Sequence, residues 1–203
     1  MLKASEAEAI ERAIRAAEGK TSAEIVVCLR RASGEDRGVA AFAGLCALVL
    51  MFGAIDIIDP ALNRDILLAA ALGAAVALFL FFDRFDLGLK FLPARMLTGY
   101  ARRAARAVFL DHGLDATPQR NAVLLFVSRA ERYVEILPDR GLAAAVPAQR
   151  WANIVSAFQA QAAKQGMVPA VTEAVTAIGA ICAGPFPAGA RNPDLVPNRP
   201  IVE

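Results

Sequence analysis

Two stretches without a charged side chain constrain this sequence more than any other feature. They are Gly38–Ile55 (GVAAFAGLCALVLMFGAI) and Ile66–Phe82 (ILLAAALGAAVALFLFF), 18 and 17 residues long. Both fall near the lower end of the roughly 17–25 apolar residues that cross a hydrocarbon core of ~30 Å. Neither has the one-sided period of a helix lying on a core, being apolar all round. They account for much of an unusual composition, 57% hydrophobic with mean hydropathy +0.45, against about 45–50% apolar in ordinary soluble domains. Two membrane-spanning helices, about 38–58 and 65–83, are therefore expected.

The intervening Asp56–Asp65 segment carries Asp59-Pro60 and Asn63, turn formers that predict a tight hairpin. Gly44, Gly53, Gly73 and many alanines permit close helix contact. The first run starts too late in the sequence to read as a cleaved leader, so both are expected to persist. Lys20, Arg30, Arg31 and Arg37 precede the spans, and Arg84, Lys90, Arg95 and Arg102 follow them. The connecting loop holds only Arg64. The bias toward cytoplasmic basic residues then predicts a multi-pass protein of the inner (plasma) membrane, with both termini in the cytoplasm.

The flanking segments read differently. Residues 4–19 predict a helix opened by a Ser5/Glu8 capping box and stopped by Gly19. Glu24–Arg30 (EIVVCLR) is a nearly continuous apolar strand, as expected of one buried on both faces. Pro93 opens an amphipathic helix to about Leu110. Ala122–Ser128 (AVLLFVS) and Tyr133–Leu137 predict a hairpin closed by Arg129–Arg132. A short helix near Leu142–Ala145 and one from Pro147 to Gln165 follow, and Pro169 is expected to open the last. The five prolines after Gly184 predict an extended tail over 184–203. The fold class is thus α/β: a small mixed sheet flanked by helices, with one part in 1–37 and the remainder in 93–183. The membrane hairpin, 38–83, interrupts this single domain.

Catalytic signatures are sparse. No glycine-rich phosphate loop, nucleophile elbow or HExxH pair occurs. His112 is the only histidine, placed where it can cap a helix end. Cys28 and Cys182 fall on apolar faces, as core thiols do, and Cys46 falls inside a span. Asp111, Asp115 and Asp139 are the carboxylates to test for a divalent cation such as calcium, because a hard cation takes several oxygen ligands. Arg95, Arg102 and Arg106 share one helix side soon after a span and could meet anionic headgroups. A net charge of +2 gives no argument for nucleic acid.

Several segments, in order, resemble the TPM domain family. They are Thr21-Ser-Ala-Glu-Ile-Val-Val27; Gly113-Leu114, Thr117 and Arg120-Asn121-Ala-Val-Leu-Leu-Phe-Val-Ser128; Glu131–Ile136; Asp139-Arg-Gly-Leu142; Trp151-Ala-Asn-Ile-Val155; and Ala183-Gly-Pro-Phe-Pro187. The ending is similar to that of a short membrane-bound bacterial subgroup. The resemblance implies a mixed sheet sandwiched by helices. It also implies either an accessory role at a membrane complex or, alternatively, a cation-dependent phosphatase activity. The sequence departs from the family pattern at Ala122, and it has fewer acidic residues near the strand ends than members read as calcium binders. The expectation is therefore an accessory protein whose partners are membrane lipids and another membrane protein, with no resident cofactor. A phosphatase-like hydrolase and an anionic-lipid binder are the alternatives.

Overall fold

The computed structural model describes residues 2–33, 41–42, 44–50, 53, 64–85, 93–189 and 197–202; within 64–85, side chains are described at Asp65 and from Leu68 to Phe81. Contacts divide the chain into two units, one of Met1–Ser33 with Tyr100–Glu203 and one of Gly34–Gly99.

The first unit is built on a four-stranded sheet of order β3-β2-β1-β4. Strand β1 (Glu24–Arg30) pairs parallel with β2 (Ala122–Ser128), from Glu24 opposite Ala122 to Arg30 opposite Ser128. Strand β3 (Tyr133–Pro138) runs antiparallel to β2. The two central strands are buried almost throughout, as their unbroken apolar runs predict. Strand β3, at the edge, alternates between buried and partly exposed positions. Its turn puts Arg132 in the left-handed region, with φ of 51°.

One face of the sheet carries Ile25, Val27, Leu29, Val123, Leu125 and Val127. It packs against α1 (Ala4–Glu18), α5 (Ala148–Gln165) and α6 (Met167–Cys182). The opposite face, with Val26, Cys28, Leu124 and Phe126, is covered by Ala101, Ala104, Ala105 and Val108 of α3 (Ala94–Asp111). The alanines let α3 lie close to the strands.

Three local expectations are corrected. Helix α1 begins at Ala4, so Ser5 lies inside it, and Glu6 reaches back to accept from the Lys3 amide at 2.7 Å. Helix α6 begins at Met167 after Gly166, whose φ of 92° suits glycine. Pro169 sits in its first turn, where the missing N–H costs nothing. The C-terminal segment does more than extend: Ile201–Val202 form β4, parallel to β1 opposite Cys28 and Leu29. Two residues following Pro200 leave no periodic signal to read.

In the second unit, helix α2 (Arg64–Phe85) packs beside the helical residues 44–50, where a Cβ on Gly44 would lie 3.2 Å from the Ala75 carbonyl oxygen. Gly44 and Ala71 are buried, whereas Leu68, Leu72, Val76 and Leu80, each four residues from the last, are 50–57% exposed. Among the described residues no helix is long and apolar enough to cross a membrane. The two spans expected at about 38–58 and 65–83 are not shown. The expected loop at 56–63 lies outside the described residues.

Candidate functional site

The amino ends of β1 and β2 lie side by side because the strands are parallel and in register there. That pairing gathers polar residues from sequence-distant segments: Thr21 and Ser22 before β1, Gln119, Arg120 and Asn121 before β2, and Asp139 after β3. Thr21, Glu24, Thr117, Asn121 and Asp139 are all buried.

Most of these groups serve as joints. The Thr21 hydroxyl donates to the Phe186 carbonyl at 2.5 Å and accepts from the Ala23 amide at 3.1 Å. This ties the start of β1 to the Phe186-Pro187 segment, where Thr21 also bridges Pro187. The Asn121 side-chain amide donates to the Ser22 carbonyl, while its backbone N–H donates to Thr117 Oγ1 at 3.2 Å. Arg120 donates to the Asp115 carbonyl and holds a left-handed backbone, φ 53°. Glu18 accepts from the Ile25 amide at 2.9 Å, fixing the end of α1 to β1.

Asp139 caps α4 (Arg140–Ala145), its Oδ1 accepting from the Arg140 amide at 2.7 Å. Its other oxygen is buried without a hydrogen bond, 4.0 Å from Arg120 Nη1. The expectation that Asp111, Asp115 and Asp139 converge on a cation is not carried by this arrangement. Asp111 is exposed at the end of α3, and Asp115 lies in the 3-10 turn Leu114–Ala116. Only Asp139 is buried, with the positive Arg120 beside it. Among the described residues no three His, Cys, Asp or Glu side chains are placed to hold a metal ion.

The three arginines expected to face headgroups all lie on α3. Arg95, Arg102 and Arg106 are exposed on α3, but Arg102 pairs with Glu135 of β3 at 3.5 Å. Glu135 also accepts from the Tyr133 hydroxyl at 2.7 Å. Burial, then that hydrogen bond and the negative charge of Glu135, raise the Tyr133 pKa, partly opposed by Arg102 and Arg106. The phenol therefore remains a donor to Glu135, the carboxylate through which Arg102 ties α3 to β3. His112 lies past the end of α3, its Nδ1 3.0 Å from the Val108 carbonyl, as a capping residue would. Cys28 and Cys182 are buried and in no disulfide, as expected of core cysteines.

Thr21, Asn121 and Gln119 were absent from the residues singled out for chemistry in the sequence. Each is a polar residue just before an apolar strand, which is the signal that marks them. Their convergence depends on a strand pairing that no local pattern shows.

Residues 94–181 match the family model of the TPM domain. No curated protein matches the chain. Among solved structures, the chain is similar to the NMR structure of the BA42 protein from the psychrophilic bacterium Bizionia argentinensis, with a TM-score of 0.62 at 22% identity. That alignment covers 100% of this chain and 96% of the other, and it supports the mixed α/β fold.

Proposed function

We propose that this is a membrane-embedded accessory protein, its TPM-type domain held at the cytoplasmic face of the inner membrane by the hairpin expected over 38–83, where it binds another membrane protein. The observation carrying this reading is the inverted packing of α2. The helix turns small residues toward residues 44–50 and presents Leu68, Leu72, Val76 and Leu80 outward. Phe42, Leu45, Val49 and Leu50 of the neighbouring helical segment are likewise 59–72% exposed. In water a helix pair buries its leucines; in lipid the tails are as apolar as leucine, and small residues make the contact. The charge-free runs extend this character to 38–55 and 66–82. An accessory role over hydrolysis is favoured because the motif residues around Asn121 are engaged in holding turns together.

Alkaline carbonate extraction of native membranes tests the embedding. The chain should stay in the pellet, with reporters fused within residues 59–63 and at Glu203 on opposite sides. Release into the supernatant overturns the reading. Crosslinking in the same membranes should return one recurrent partner; repeated recovery of the chain alone overturns the accessory role.

A further inference from the structure

The end of the sheet opposite the polar joints carries a cleft that none of the motifs explains. It measures about 500 Å³ and lies between the β2–β3 hairpin and α5, at the carboxyl end of β2. Open sheets with parallel strands seat ligands beyond those ends, and the volume falls within the roughly 300–1,000 Å³ usual for small-molecule sites. A second hollow of about 290 Å³ shares Arg129 and Met167 with it.

The lining has two chemistries. Val134, Phe158, Ala162 and Met167 make an apolar wall. Arg129 and Arg132 stand exposed at its edge. No carboxylate pairs with either guanidinium among the described residues. Glu131, between them in sequence, accepts from the Ser33 amide at 2.7 Å and from the Ser128 hydroxyl. Paired guanidiniums match the fork of a carboxylate or phosphate. The amides of β2 itself are already paired with β1 and β3.

We infer that this cleft binds a small amphiphile with one acidic head, held by Arg129 and Arg132, and one apolar chain laid along Phe158 and Met167. The inference is independent of the membrane hairpin, since every residue it uses belongs to the sheet domain.

Native mass spectrometry of the full chain released from neutral detergent provides the test. The probes are palmitate, palmitoyl lysophosphatidate and monopalmitoylglycerol, with inorganic phosphate as competitor. Both acids should bind at least about tenfold more tightly than the neutral glyceride, as charged hydrogen bonds of this kind require. The Arg129→Gln/Arg132→Gln variant should lose that preference. Ala163→Trp, which fills the cleft from an exposed position, should weaken both acids about tenfold without lowering the thermal midpoint. Equal binding of acid and neutral probes overturns the inference. So does retained preference in the double variant, unchanged binding in Ala163→Trp, or inorganic phosphate binding as tightly as the lysophosphatidate.

Discussion

At the scale of single residues, the joints between segments are tighter than the motif pattern alone would suggest. A Cβ on Gly141 would sit 2.6 Å from the Arg120 carbonyl oxygen and 2.8 Å from that of Gln119. The Gly141 amide donates to the same Arg120 carbonyl at 2.9 Å, so neither backbone can withdraw without losing the bond. Gly141→Ala should therefore destabilise the domain by about 1–3 kcal/mol, the range of overpacking, measured by chemical denaturation. Cys182 makes a separate prediction. Burial pushes its thiol up to about 12. The folded state holds the proton more tightly than the unfolded state, so its contribution to stability is full below the unfolded thiol pKa, near 8.5. It is lost as pH rises from there toward 12. Maleimide mapping at pH 8 should leave Cys182 unmodified in the folded chain and modify it once denaturant is added; labelling of the native chain would contradict this placement.

At the scale of elements, strands were more legible than ends. β1 and β2 follow from uninterrupted apolar runs, and β3 from its alternation beside a polar turn. The end of α1 was legible from Gly19, but its beginning was misplaced because Ser5 and Glu6 compete for the same capping task, and Glu6 reaches the free amide. β4 was not legible because its only signal is the edge of β1 it completes. Among candidate site residues, Asp139 was legible as a polar residue after a strand and is buried at the joints. Arg129 and Arg132 read as turn residues, since nothing local tells that α5 will lie beside them. Helix α2 carries the element's own test. Leu72→Lys places a charge on the outward row. In lipid this should cost about 2.5–3.5 kcal/mol near the bilayer centre and lower the membrane-retained fraction. On a water-facing helix the same change should fall within about 0.5 kcal/mol and leave retention unchanged.

For the molecule as a whole, the two units differ in what holds them. The sheet domain has its own core on both faces, assembled from residues before and after the insertion. Replacing residues 34–92 by a flexible glycine-serine linker should leave a chain that unfolds cooperatively and retains the labelling protection of Cys182. Loss of that protection would mean the hairpin contributes to the core itself. The parallel pairing of β1 with β2 is also what joins Ser22 to Asn121 and seats the acidic amphiphile's cleft at the far end, so the linker-bridged chain should keep the acid-over-neutral preference unchanged.

The same pairing fixes a schedule for the ribosome. Glu24 finds its neighbour Ala122 only after 98 further positions have been translated. At about 5–20 residues per second that is an interval of about 5–20 s. During it, a strand apolar on both sides waits without its sheet while the charge-free segments emerge behind it. Those segments thus leave the ribosome before the two central strands of the sheet can pair.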